Sequence, residues 1–256
     1  MLNCETFDTS VFDVELVDGT AIMRLKDESL RLSMDQCFLR YFLDYLNSIE
    51  ENDDVKGLLI VDSPVYHGVD DIKALISDLQ HEQHMIFKKK VFQQYGSTTK
   101  RLTLALNEFH KPLVVALEGL VPIDLFGYFM ACDAIIASDD ISIEFPSYEF
   151  GMAPIGAVTF FLQKEIGVRN TMNLYLSHPK LDADAALNYS LVDQVVEKEN
   201  LIETALAQLE DYYQFSQSSM VMTKQVCKVK SSELNDFFED NVRLMWNASL
   251  SVGNDK

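Results

Sequence analysis

Two uninterrupted apolar runs constrain this chain most. They are Gly57–Asp62 (GLLIVD), which closes on the turn Asp62-Ser63-Pro64, and Pro112–Leu117 (PLVVAL). Neither alternates apolar with polar residues, as a strand with one wet face would. A strand that is apolar at every position is buried on both sides, and such strands belong to parallel sheets. Parallel neighbours cannot be joined by a tight turn; they need a crossover. The stretch between the two runs supplies one: a loop from Pro64 to Asp71, then a long helical pattern to about Phe109 that is expected to break at Gly96.

The flanking segments fit the same scheme. FDVELV and TAIMRL, either side of Asp18-Gly19, read as a β-hairpin. Ser33 is placed to cap a helix with apolar positions at Cys37, Leu39, Phe42, Leu43 and Leu46. After the second buried strand, Glu118 to Ile123 reads as a loop, Asp124 to Asp133 as a helix, and 134–137 and 141–144 as short strands. Helical patterns then cover 157–166, 168–177, 183–188, 201–215, 221–228 and 232–249. Strands that alternate with helices, followed by a helical tail, define an α/β fold. In such folds the loops after the C-terminal ends of the strands, here after Val61 and Leu117, carry the site.

Charge narrows the partners. Lys and Arg total 21 against 40 Asp and Glu, a net of −19, which repels nucleic acid and anionic membrane surfaces. The basic runs Lys88-Lys89-Lys90 and Lys100-Arg101 read as solvated helix faces. No apolar run approaches a bilayer span, and Met1–Val11 carries Glu5 and Asp8 without a basic segment, so a cytoplasmic protein is expected. Cys4, Cys37, Cys132 and Cys227 form no CxxC and read as reduced, mostly buried thiols. The His81/His84 pair has no third ligand nearby, so neither a metal nor a cofactor is expected.

Several segments resemble one family in order and spacing. Lys111-Pro-Leu-Val-Val-Ala-Leu-Glu-Gly119 leads to Met130-Ala-Cys-Asp133 and Ala134-Ile-Ile-Ala137. Before them stands VYHGVDDIK (Val65–Lys73); after them come Phe145-Pro146, then Gly151, Pro154 and Gly167, then Ala185–Asn188 with Leu191–Val196, then Ser218–Lys224. Together these are similar to the enoyl-CoA hydratase/isomerase (crotonase) superfamily across about Phe12 to Lys228. The resemblance implies a ClpP/crotonase spiral of strand and helix units over residues 1–196. It also implies a helical C-terminal region, 197–256, that builds homotrimers or hexamers or serves as a lid. The implied ligand is an acyl-CoA or acyl-carrier thioester, whose oxygen is held by two backbone N–H groups while an enolate forms.

Carried over residue by residue, the pattern is altered. The first oxyanion donor falls at Val69, beside Gly68 in His67-Gly68-Val69-Asp70. The second falls at Asp124, where the family has consecutive glycines and this chain reads Leu120-Val-Pro-Ile-Asp-Leu125. Pro122 has no N–H to donate. Asp124 is of the type that caps its own helix, and its carboxylate would oppose a developing enolate. The family's two glutamate positions are Gly127 and Ser147. Neither carries a carboxyl group, which leaves Glu149, His67 and Asp124 as candidate proton-handling groups. Gly68, Lys73 and Ser147 are candidate substrate contacts, and Lys73 and the Lys88–Lys90 run are cations placed for the phosphates of a CoA-like ligand.

Two functions follow. One is a diverged acyl-thioester enzyme, a lyase, isomerase or decarboxylase that does not use the two-glutamate hydratase mechanism. The other is a non-catalytic subunit with a structural or protein-interaction role.

Overall fold

The computed structural model describes residues 6–8, 12–26, 36–62, 73–74, 77, 84–146, 156–177 and 180–251. A seven-stranded sheet has the order β1-β2-β3-β4-β5-β7-β10, and a three-stranded sheet has the order β6-β8-β9. The strands of the large sheet are β1 (Thr6–Asp8), β2 (Phe12–Val17), β3 (Thr20–Leu25), β4 (Gly57–Asp62), β5 (Leu113–Leu117), β7 (Ala134–Ser138) and β10 (Gln194–Val196). Those of the small sheet are β6 (Leu120–Pro122), β8 (Ser142–Glu144) and β9 (Lys180–Leu181).

The hairpin forms over the residues that its turn selects. Asp18 and Gly19 both have positive φ (49° and 86°), the left-handed pair that matches the twist of the flanking strands. From β3 onward every neighbour in the large sheet is parallel. The two apolar runs lie side by side, Leu58 opposite Leu113 and Asp62 opposite Leu117. Their alternate residues face opposite ways. Leu58, Ile60, Leu113, Val115 and Leu117 enter the main core, whereas Leu59, Val61, Val114 and Ala116 enter a second cluster.

Helices cover both faces. On the first, α1 (Gln36–Glu51) buries Leu39, Phe42 and Leu46, and α2 (Met85–Glu108) buries Phe92, Tyr95, Leu102 and Leu106. Next in the chain come α3 (Ile123–Phe129), α4 (Val158–Glu165), α5 (Gly167–Ser177) and α6 (Ala183–Asn188). The second face is closed by α7 (Leu201–Tyr213), whose Leu201, Ala205 and Leu209 recur every fourth residue and are at most 2% exposed. The tail ends in α8 (Gln217–Cys227) and α9 (Ser231–Ser251). Leu234 and Phe238 of α9 are buried in the main core, and Trp246 sets its ring edge-on to Phe92 of α2 at 6.3 Å.

Four expectations are corrected. Helix α2 runs unbroken through Gly96; a Cβ there would lie 2.3 Å from Val242 Cγ2, so this glycine lets α9 approach and does not end the helix. Leu120–Pro122 is a strand, not a loop, and pairs in parallel with β8, Pro122 opposite Glu144. The helix read from Asp124 to Asp133 is shorter, because Met130 to Asp133 turn back to feed β7, with Asp133 N–H donating to Leu113 O at 2.8 Å. Cys227 is exposed and Cys132 only partly buried; burial pushes the Cys132 thiol up to about 12. Ser33 and Cys4 lie outside the described residues.

Lys111, just before β5, is 3% exposed; its Nζ donates to Ile49 O, Asn52 O and Val55 O at 2.6–2.7 Å. These carbonyls belong to the end of α1 and the turn after it, where the helix leaves acceptors unsatisfied.

Candidate active site

The C-terminal ends of β4 and β5 stand beside the start of α3, and the candidate site is built there. Strand β5 runs through Glu118-Gly119 into β6, and Gly119 O accepts from Ser142 N–H at 2.7 Å, joining the two sheets. Strand β6 delivers the chain into α3 without a side-chain cap. The N-cap is Pro122, in extended conformation, and it makes no capping bond. Asp124 is therefore not the N-cap residue. It occupies the second helical position, 1% exposed.

Two tyrosines surround it from different elements. Tyr95 of α2 places its hydroxyl 3.5 Å from Asp124 O. Burial, and after it the negative charge of Asp124, pushes both Tyr95 and Tyr175 of α5 upward. The Tyr175 ring stands edge-on to Phe145 at 5.3 Å, and its buried hydroxyl has no hydrogen-bond partner among the described residues. Phe145 and Pro146 are themselves buried.

Gly127 is held by close packing. A Cβ at this position would fall 2.6 Å from the backbone nitrogens of both Ala157 and Val158 at the start of α4. Main chain thus fills the space into which any side chain at 127 would project. A glutamate there requires α4 to move.

Acids and bases rim the same end of the sheet. Lys73 is paired with Glu144 of β8 (3.6 Å), which also takes Lys180 at 3.4 Å, so Lys73 is tied to a carboxylate of the protein itself. Lys198 bridges Glu118 (3.2 Å) and Asp140 (3.0 Å). At the tip of β4, burial and then the Glu118 charge raise the Asp62 carboxyl to about 6. Of the candidate residues, the structure therefore places Asp124 and Lys73. His67, Gly68, Val69, Ser147 and Glu149 lie outside the described residues.

Sequence reasoning missed Asp62, Tyr95, Tyr175 and Glu144. Asp62 carried a signal, a lone acid that ends an apolar strand beside a site loop. The tyrosines carried none, since only the tertiary fold brings α2 and α5 to Asp124. Among the described residues no group of three or more His, Cys, Asp or Glu could hold a metal, and no helix is long and apolar enough to cross a membrane.

A parallel sheet clad on both faces, with its site at the start of a short helix after β5, is the crotonase fold. The enoyl-CoA hydratase from Bacillus halodurans superposes with a TM-score of 0.77 at 17% identity, covering 94% of this chain and 95% of that one. The family model described as enoyl-CoA hydratase/isomerase matches residues 16–247, and the chain belongs to that family. The fatty acid oxidation complex subunit alpha of Idiomarina loihiensis is 27% identical over 177 residues, 67% of this chain and 23% of that protein. The trans-2-decenoyl-[acyl-carrier-protein] isomerase of Streptococcus mutans is 31% identical over 101 residues, 40% of this chain and 38% of that enzyme. The chain thus spans about a quarter to two fifths of the length of these two relatives.

Proposed function

We propose that this protein binds a fatty acyl thioester, on coenzyme A or on an acyl carrier, at the end of β4 and β5, and that it does not hydrate it by the two-glutamate mechanism. The observation that carries the second clause is the packing of Gly127 against Ala157 and Val158, which leaves no volume for a carboxylate where the family has one. The thioester oxygen would be held by the backbone N–H groups of Val69 and Asp124, with Gly68 and Ser147 lining the acyl path and Lys73 at its edge. Isomerase, lyase or decarboxylase chemistry asks for one mobile proton, not an activated water. Glu149 and His67 are the groups we assign to it, with Asp124 setting the local field. Such a proton donor must lie close to the α-carbon of the thioester.

The assembly we favour is a cytoplasmic homotrimer or hexamer. Its support is the stripe Val168, Met172 and Leu176 on α5, spaced by four and 56–62% exposed, an apolar face that a soluble monomer would not keep. Residues 197–256 are the region we assign to assembly, alongside that stripe.

The test is calorimetric titration with crotonyl-CoA, paired with assays for hydration and for double-bond migration. Saturable binding without hydration is expected. Gly127→Glu should destabilise the fold and bring no hydration. Rapid hydration by the parent protein would overturn the mechanism. Absence of any thioester binding would leave the non-catalytic subunit as the better reading.

A further inference from the structure

Helix α2 begins with an exposed apolar triplet. Met85 is 48% exposed, Ile86 88% and Phe87 55%, and the exposed ammonium groups of Lys89 and Lys90 follow within one turn. Other lysines of this acidic chain are ion-paired, among them Lys73, Lys100 and Lys198. Lys89 and Lys90 face no carboxylate among the described residues; Lys89 lies over the Trp246 ring at 5.9 Å. The patch thus combines apolar area with unneutralised positive charge on a molecule of net charge −19.

Its position follows from topology. Helix α2 leaves the C-terminal end of β4 and returns the chain to the N-terminal end of β5, so its own N-terminus stands at the site end of the sheet. Tyr95, further down the same helix, touches Asp124 O. Ile86 precedes Tyr95 by nine residues, which at the helical rise sets it roughly 14 Å further out along the axis. The patch therefore flanks the mouth of the site without entering it.

We propose that Met85, Ile86 and Phe87 with Lys89 and Lys90 form the docking surface for a small acidic carrier protein that presents its acyl chain to the site as a pantetheine thioester. This rests on the acyl-thioester reading above and names the partner that delivers the thioester. Free coenzyme A has no use for three exposed apolar side chains, whereas an acidic protein partner can lay apolar contacts on them and carboxylates on Lys89 and Lys90. Charge separates a carrier from an anionic membrane. A compact partner meets mainly the local lysines, because the remaining negative field is screened over about 8–10 Å. A lipid plane would face the acidic body of the protein over a much wider area.

The experiment titrates the full-length protein with crotonyl-loaded acyl carrier protein and, separately, with crotonyl-CoA. The variants are Ile86→Asp/Phe87→Asp and Lys89→Glu/Lys90→Glu, each checked for an unchanged circular dichroism spectrum. The parent is expected to bind the carrier in a salt-sensitive manner. Either double variant should weaken that binding by about tenfold or more. Ile86→Asp/Phe87→Asp should bind crotonyl-CoA as the parent does.

Carrier binding that survives both double variants would overturn the assignment of the surface. Binding of crotonyl-CoA but not of the carrier would overturn the partner and leave the thioester reading standing. Failure to bind either would remove the thioester reading itself. Two further outcomes overturn the proposal in favour of another occupant: retention on phosphatidylglycerol vesicles that the variants lose, or an oligomer that the variants dissociate.

Discussion

The two ends of helix α3 carry acids that sit in different surroundings. Asp133, just past its C-terminal end, has every demand of its carboxylate met. It accepts Leu113 N–H at 2.8 Å, Lys224 Nζ at 2.6 Å and Lys228 Nζ at 2.9 Å. Lys224 also donates to Lys111 O at 2.6 Å, and Lys228 to Ala131 O at 2.8 Å. Asp124, in the first turn, is buried more deeply and stands beside the tyrosines Tyr95 and Tyr175, the second of which has a hydroxyl with no partner among the described residues. The C-terminal end of α3 is a clamp that ties β5, β7 and α8 together. The N-terminal end instead buries an acid next to a tyrosine hydroxyl that makes no bond among the described residues, and a buried polar group of that kind calls for an explanation other than stability.

The contrast breaks most visibly at Asp133. Asp133→Ala strands two ammonium groups at the base of the sheet and removes an acceptor from β5, so a loss of about 3–5 kcal/mol in urea unfolding is expected. A loss below about 1 kcal/mol would show that the clamp is not structural. Burial already holds the Lys224 ammonium down to about 8, and Asp133→Ala should lower it further by removing the carboxylate that opposes that shift.

Asp62 sharpens the other side. Its folded pKa of about 6 lies above the ordinary 3.8, so between those values the folded protein keeps a proton that the unfolded chain has released. Stability contributed by this group is full below that window and falls as pH rises through it. Asp62→Asn should therefore stabilise the protein by about 2 kcal/mol near pH 7 and leave it unchanged near pH 4, as measured by unfolding at each pH. Equal curves for parent and variant would remove Asp62 from the strained end.

The smallest effect is expected at Tyr175. Removal of a buried hydroxyl that makes no bond among the described residues costs little, and Tyr175→Phe should shift stability by less than about 1 kcal/mol, towards stabilisation. A loss of about 2 kcal/mol would show that the hydroxyl is engaged after all and that the site end is as fully satisfied as the clamp.

Legibility in the sequence followed the range of the interaction. The hairpin was readable to the residue because Asp18-Gly19 sets the turn locally, and β4 and β5 because burial on both faces leaves no polar position. Gly96 misled because its backbone freedom is local while its reason, the approach of Val242, comes from a helix more than a hundred residues later. Strand β6 was hidden by Pro122, which is tolerated in so short a strand. At the candidate site, Asp124 was placed at the helix start by counting along a family pattern, but the N-cap role read for it is not met, since Pro122 holds that position. The missing glutamate at 127 was legible as a substitution. That main chain from α4 occupies its space was not.

Lys111 has one further consequence. All three protons of its ammonium are held by carbonyls at the end of α1, so an amine-directed reagent meets no available lone pair while that helix is seated. It should be among the last lysines to react, and its labelling rate then counts how often α1 lifts from β5. The chain carries in this residue a chemical clock for its own opening, readable by mass spectrometry of the labelled protein.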